Sequence, residues 1–416
     1  MRPCRTLLLP LLVLCLLGLS REGAAQNAPA KPRARDLGIP LGGQPGPLDA
    51  ITDVPGVEVG HTTVISGQGK LVVGKGPART GVTAVWPRGK ASAAPVFAAK
   101  YALNGNGEMT GSHWLDESGF LYGPVMLTNT FSVGTVHQSV IAWAVKRGLS
   151  WDFGLPVVAE TYDGILNDVE GFHVKPEHVF RAMDGASKGP VAEGGVGGGT
   201  GMMCHGFKGG IGTASRKLSE AQGGYTVGVL VQCNYGKRHQ LTVAGVPVGE
   251  EISDLQACTT SDQPPSNPLI TRMPKCTPKG ASKASFPEGS GSIIVVVATD
   301  APLLSHQLER IARRVPLGIS RMGGLGEDSS GDIFLAFSTQ TTLAAEAPVS
   351  TVSMLANDRM NPLFEATVQA TQEAILNAML AAETMTGADG IRVFAMPQDR
   401  LMEALKKYGR KPATAP

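Results

Sequence analysis

The run Ile293-Ile-Val-Val-Val297 constrains the fold more than any other stretch of this chain. Five consecutive β-branched residues are stiff at χ1 and fit a pleated strand. The run does not alternate with polar residues, so it reads as a strand buried on both faces, inside a sheet covered on each side. Directly before it stands Gly289-Ser290-Gly291, a joint where glycine permits backbone angles that other residues avoid. Ser292 lies on the seam. From this stretch alone two readings stay open: a nucleophile presented by a rigid strand, or the first strand residue after a plain turn.

Composition narrows the class. Net charge is +2, charged residues make up 17 % and no long charge run occurs, which argues against a nucleic-acid partner. A chain of 416 residues is long enough for one large α/β domain. Its 53 glycines in 416 residues, about 13 % against the usual ~7 %, are scattered, which points to tight turns rather than a linker. At the N-terminus, Arg2 and Arg5 precede an apolar stretch from Thr6 to Ser20, then the small residues Gly23-Ala-Ala25. This is the pattern of an export signal, residues 1–25, removed after Ala25. No later stretch is long and apolar enough for a membrane span. The expected mature protein is therefore periplasmic or secreted, with no membrane partner after signal removal.

Cys4 and Cys15 leave with the signal. Cys258 and Cys276 flank a proline-rich segment, and export makes a disulfide between them plausible. Cys204 and Cys233 sit in apolar surroundings and read as buried thiols. No cysteine–histidine spacing suits zinc.

Along the chain, residues 26–36 read as a flexible arm. Strands are expected at Val57–Val64, Gly81–Trp86 and Ala94–Tyr101. Asn104-Gly-Asn-Gly-Glu-Met-Thr-Gly111 reads as a surface turn, although such loops also line sites. Val133–Arg147 has an amphipathic helical period that ends in Lys146-Arg147-Gly148. Leu155–Tyr162 is a strand ending in the polar cluster Glu160, Thr161, Tyr162 and Asp163, and strand ends in α/β folds are where sites collect. Gly194–Gly201 fails as a nucleotide loop, because Thr200 occupies the last glycine position of the fingerprint; it reads as a turn packing backbone on backbone. Tyr225–Asn234 is a strand delivering Asn234, and residues 250–288 read as an exposed connection. Thr299-Asp300-Ala-Pro302 reads as a helix start, followed by Leu304, Leu308, Ile311 and Val315 at helical spacing. A strand is expected over Ile333–Thr339. A long helix opens at Asn361-Pro362 and closes at Gly387, and the tail from Lys406 reads as frayed.

Several of these segments agree in order with one known family. Gly291-Ser-Ile-Ile-Val-Val-Val-Ala-Thr-Asp-Ala-Pro-Leu-Leu304, Ser330-Gly-Asp-Ile-Phe-Leu-Ala-Phe-Ser-Thr339, Ala159-Glu-Thr-Tyr-Asp163 and Gln232-Cys-Asn-Tyr-Gly236 resemble the self-cleaving serine aminopeptidases. That family includes the L-aminopeptidase/D-amidase/esterases and the β-peptidyl aminopeptidases. The resemblance spans about Asp36 to Ala395. It implies a four-layer α/β/β/α sandwich, like the N-terminal-nucleophile hydrolases but differently connected. It also implies a precursor that cuts its own Gly291–Ser292 bond into a large part, residues 26–291, and a small part, 292–416. Both parts would belong to one catalytic domain, and the cut pairs would form a homo-oligomer.

By position, the resemblance assigns Ser292 as nucleophile and Asn234 as oxyanion donor. Ser330 and Asp332 become the pair that orients the nucleophile, with Asp where the β-peptidyl members carry Glu, a tilt toward the L-aminopeptidase side. Tyr162 would lie beside the reacting carbonyl and Glu160 would grip the substrate's ammonium group. The chemistry is coherent. Cleavage frees an α-amine on Ser292, with a reference pKa of ~7.7–8.0, which can serve as a base beside its own hydroxyl. No metal or organic cofactor is required. Substrates would be short peptides, amino-acid amides or esters with a free N-terminus. The alternatives are a self-cleaving acyltransferase of similar architecture and a noncatalytic binding protein on the same scaffold.

Overall fold

The computed structural model describes residues 31–149, 155–270, 273–278, 280–281, 291–340 and 348–410. The export signal read at 1–25, the start of the arm at 26–30 and the Gly289-Ser290 part of the joint lie outside the described residues. Fifteen strands are described. They are β1 (Glu58–Ser66), β2 (Ala78–Trp86), β3 (Val96–Ala102), β4 (Phe120–Leu121), β5 (Val125–Asn129), β6 (Val157–Thr161), β7 (Met203–Cys204) and β8 (Phe207–Lys208), then β9 (Gly210–Lys217), β10 (Thr226–Asn234), β11 (Cys258–Thr259), β12 (Ser292–Thr299), β13 (Gly331–Ser338), β14 (Met385–Thr386) and β15 (Ile391–Val393). The helices are α1 (Ser112–Ser118), α2 (Val133–Lys146), α3 (Pro176–Asp184), α4 (Val248–Glu251), α5 (Ser305–Ala312), α6 (Val315–Arg321), α7 (Asn361–Ala381) and α8 (Gln398–Lys407).

Two sheets dominate: a four-stranded one in the order β1-β2-β5-β6 and a six-stranded one in the order β4-β3-β13-β12-β10-β9. Three apolar cores separate four layers. Val82, Ala84, Met126 and Val158 of the smaller sheet pack on Val136, Val140 and Trp143 of α2 and Val179 and Met183 of α3. Val85, Leu127 and Ala159 of the smaller sheet meet Leu230, Ile294, Val296 and Leu335 of the larger. The larger sheet's other face carries α5, α6 and α7 through Val229, Val295 and Val297 against Leu308, Ile319 and Ile375. This is the α/β/β/α sandwich that the family resemblance implies.

The β12 run explains itself in this frame. Ile293, Val295 and Val297 face the helices, while Ile294, Val296 and Ala298 face the other sheet. Side chains alternate along a strand, so both faces are apolar only because both are covered. All eight residues of β12 are buried. α7 is similar: 14 of its 21 residues are buried, so it behaves as an interior helix rather than a surface stripe.

The structure corrects several expectations. The arm is anchored from Arg33 onward. Arg33 pairs with Glu193 at 2.8 Å and donates to the Thr213 carbonyl at 2.6 Å, and Ala34 is fully buried. Within the connection expected at 250–288, Ala257, Cys258, Ile270 and Met273 are buried and β11 pairs with β15, so these parts are not exposed; residues 271–272, 279 and 282–288 lie outside the described residues. The helix expected after Thr299 starts at Ser305. Thr299 and Asp300 instead tie the strand end to Thr226, through a Thr299 hydroxyl bond to its carbonyl and an amide bond to Asp300 Oδ1. α7 ends at Ala381, before Gly387. Of the tail expected to fray from Lys406, Lys406 and Lys407 are helical and the Lys407 ammonium meets Glu251, while residues 411–416 lie outside the described residues. Cys204 and Cys233 form a disulfide rather than buried thiols, and Cys258 and Cys276 form the expected one.

A buried ion cluster holds the arm, β9 and α7 together. Arg216 of β9 meets Glu373 of α7 at 2.6 Å, with both side chains almost wholly buried. Arg35 meets the same carboxylate at 2.9 Å. Removing one member of such a pair strands the other charge out of water. Glu373→Ala is therefore expected to lower folding stability by about 3–5 kcal/mol, read as a shifted denaturation midpoint; an unchanged midpoint would contradict this role.

Candidate active site

Three neighbouring strands of the larger sheet end together. Ser292 opens β12 and lies opposite Asn234, the last residue of antiparallel β10. On its other side it lies opposite Gly331, the first residue of parallel β13. The Gly331 amide donates to Ser292 Oγ at 3.0 Å. Ser292 is 7 % exposed, so its hydroxyl stands at the edge of the core.

Gly291 fits where a larger residue would not. A Cβ there would stand 2.4 Å from the Asn234 carbonyl oxygen and 3.0 Å from Tyr235 Cα. Real Cβ atoms do not approach backbone this closely, so the bond before Ser292 needs glycine for its path.

Asn234 is held by two bonds that fix which way its amide points. Its Oδ1 accepts from the Met203 amide at 2.8 Å and its Nδ2 donates to the Tyr162 carbonyl at 3.0 Å. One Nδ2 hydrogen is left over from that pair of bonds. β7, which supplies Met203, is steadied by the buried ammonium of Lys208, a donor to the Met202 and Gly209 carbonyls, both at 2.8 Å.

Ser330 and Asp332 flank Gly331. The Ser330 hydroxyl donates to Asp332 Oδ1 at 2.6 Å, and the Ile293 amide reaches the same oxygen at 3.2 Å. The short Asp side chain thus closes the Ser-x-acid contact, and it touches the strand just after Ser292. Burial pushes the Asp332 carboxyl above its usual range, against the bonds from Ser330, Ile293 and Asn104.

Tyr162 follows β6 and joins the cluster through its carbonyl bond to Asn234. Glu160, two residues earlier, is almost fully buried. It accepts from the Thr130 hydroxyl and, at 3.0 Å, from the Glu108 amide. Burial raises its carboxyl too, with those two bonds opposing. A cationic group brought beside this buried carboxyl would favour its charged form.

The glycine loop 104–111, expected as a surface turn, lies against this cluster. Asn104 Oδ1 accepts from the Asp332 amide at 2.8 Å, and Asn106 Nδ2 donates to the Ser329 carbonyl at 2.7 Å. A Cβ on Gly107 would stand 3.1 Å from Gly331 Cα and 3.4 Å from Glu160 Oε1. The loop therefore bridges the carboxylate of the smaller sheet and the strand end of the larger. Sequence reading missed Asn104, Gly107, Thr130 and Met203. The Asn-Gly-Asn-Gly pattern carried a hint for the first two; Thr130 and Met203 carried none. Every site residue expected from the sequence, namely Ser292, Gly291, Asn234, Ser330, Asp332, Tyr162 and Glu160, falls within this one linked cluster.

The whole region from residue 49 to 393 matches Peptidase family S58. The chain belongs to that family. Membership in S58 makes it a peptidase, and so a hydrolase. Among relatives, β-peptidyl aminopeptidase BapA of Sphingosinicella microcystinivorans is 52 % identical over 381 residues, 91 % of this chain and 93 % of that protein. Among solved structures, a β-aminopeptidase of Burkholderia sp. superposes with a TM-score of 0.76 at 46 % identity, covering 92 % of this chain and 100 % of that one. The L-aminopeptidase D-Ala-esterase/amidase of Ochrobactrum anthropi, described as a new variant of the Ntn-hydrolase fold, superposes with a TM-score of 0.78 at 43 % identity, covering 91 % and 99 %.

The packing at Gly331 gives a test of the S58 site. A Cβ there would stand 2.5 Å from the Asn106 carbonyl oxygen and 2.7 Å from Gly107 Cα. Overpacking of this kind costs about 1–3 kcal/mol and would move the loop or the amide that bonds Ser292. Gly331→Ala is expected to keep the fold, read by circular dichroism, and to lose peptidase activity by roughly tenfold or more. Full activity would show that the loop contact is incidental.

Proposed function

We propose that this S58 aminopeptidase activates itself by cutting the Gly291–Ser292 bond and then uses Ser292 as its N-terminal nucleophile. The observation that carries the reading is the position of the Ser292 hydroxyl, between Asn234 and Gly331 and next to a glycine packed on the Asn234 carbonyl. In the precursor, Ser292 Oγ attacks the Gly291 carbonyl and the C–N bond breaks. The hydroxyl proton goes to the departing nitrogen, and water then hydrolyses the ester to a Gly291 carboxylate. The two parts, 26–291 and 292–416, stay together because β12 is the interior strand between β10 and β13.

In turnover, the new α-amine takes the Ser292 hydroxyl proton as the oxygen attacks the substrate carbonyl, and passes it to the leaving amine. The free Nδ2 hydrogen of Asn234 and the Tyr162 hydroxyl face the developing oxyanion. Ser330 and Asp332 orient the nucleophile's strand end. Water then releases the acyl group. Glu160 holds the substrate's ammonium group, which restricts the enzyme to free N-termini of short peptides, amides or esters. Relatives near 50 % identity carry the β-peptidyl aminopeptidase name, so β-amino-acid amides stand beside α-L ones as substrates. The leader at 1–25 supports export to the periplasm or beyond, and cut pairs assembling as a homo-oligomer fit the same reading.

Two experiments test it. Intact mass of the purified wild type should show two fragments, the smaller beginning at Ser292, while Ser292→Ala should show one uncut chain. An uncut wild type that is folded and stable for days would sink the self-cleavage step. Glu160→Gln should raise KM for an aminoacyl p-nitroanilide by roughly ten- to a hundredfold, as expected when a buried charged hydrogen bond is lost, and should narrow the preference for free over N-acetylated substrate. An unchanged KM would remove Glu160 from substrate binding.

A further inference from the structure

The segment closed by the Cys258–Cys276 disulfide brings Asn267 against the Tyr162 phenol. Asn267 Nδ2 donates to Tyr162 Oη at 3.1 Å and to the Gly164 carbonyl at 2.7 Å. Its Oδ1 is already occupied by the Leu269 amide at 2.9 Å. These three bonds fix the orientation of the amide. Both Nδ2 hydrogens are spent, and the oxygen points at its own loop. Asn267 can therefore give a hydrogen to the phenol oxygen but is not placed to take one from it. The phenol's own hydrogen must point elsewhere.

The segment is built to hold that side chain still. β11 pairs with β15, and the Ser266 amide donates to Asp389 Oδ2 at 2.6 Å. Asp389 is almost fully buried and also takes the Leu71 amide at 2.9 Å. Ile270 packs into a small core with Leu166 and Ile391. The phenol in turn lies over Gly164, where a Cβ would stand 2.3 Å from Tyr162 Oη. Burial raises the Tyr162 phenol, and the Asn267 bond is the leading contribution that opposes it.

We infer that Asn267 is a positioning residue for Tyr162: it occupies the phenol oxygen as a donor and so directs the Tyr162 hydrogen to the substrate's carbonyl oxygen. This rests on the reading of Tyr162 as an oxyanion donor and adds the residue that makes it one. It also gives the proline-rich segment a role in turnover.

The test is a double-mutant cycle on the mature enzyme, with steady-state hydrolysis of an aminoacyl p-nitroanilide. Asn267→Ala should lower kcat roughly tenfold with KM within about twofold. Asn267→Asp should cost about a hundredfold, because a carboxylate would accept the phenol hydrogen and withdraw it from the substrate. In a Tyr162→Phe background, Asn267→Ala should have no further effect on kcat. An equal loss in both backgrounds, or kcat and KM changing together, would reduce Asn267 to a structural role and overturn the inference. Full kcat in Tyr162→Phe alone would overturn the oxyanion reading of Tyr162 itself, and this inference with it. If Asn267→Asp does not fold, the Asn267→Ala cycle decides alone.

Discussion

The register of β10, β12 and β13 sets Asn234, Ser292 and Gly331 side by side, and the rest of the site depends on it. A slip of one residue in β12 would turn Ser292 from the space between the sheets to the face covered by helices. The register is held by apolar residues on both faces of β12, so the same burial that stabilises the sandwich also aims the nucleophile. Because one pairing is parallel and the other antiparallel, the start of β12 meets the start of β13 and the end of β10. Gly331, 39 positions from Ser292, and Asn234, 58 positions from it, are thereby gathered at one edge.

Around that edge the protein places polar groups at a cost and offsets it with fixed partners. Glu160 and Asp332 are both raised by burial and both opposed by hydrogen bonds. Asn234 has its amide oriented by a strand on one side and the Tyr162 carbonyl on the other. Preorganised groups of this kind need no reorganisation when charge develops. The glycine loop completes the arrangement, since a side chain at 331 would strike the Asn106 carbonyl and one at 107 would crowd Gly331.

Much of this was legible in the sequence. The unbroken β-branched run announced a strand covered twice, and helical spacing found α2 and α7. The site residues themselves were read from a family resemblance; on local grounds Ser292 remained one of two readings, and Asn234 a strand end. What stayed hidden depends on partners distant in sequence. Asn104 and Asn106 look like turn residues until β13 arrives beside them. Arg33 looks like part of a polar arm because the carboxylate and the carbonyl that hold it lie at 193 and 213. Asn267 sits among prolines and serines that suggest exposure, and nothing local reveals that Asp389 pulls the segment onto Tyr162. Thr299 and Pro302 carry a helix-start pattern, but Thr226 and the strand end claim the capping groups first.

The most direct test of the account is to quench the enzyme during turnover of an aminoacyl ester and locate the bound acyl group by peptide mass spectrometry. The account predicts an added acyl mass on one peptide, whose first residue is Ser292 and whose modified atom is the Ser292 oxygen. An adduct on another residue, or a modified peptide in which Gly291 is still joined to Ser292, would contradict it.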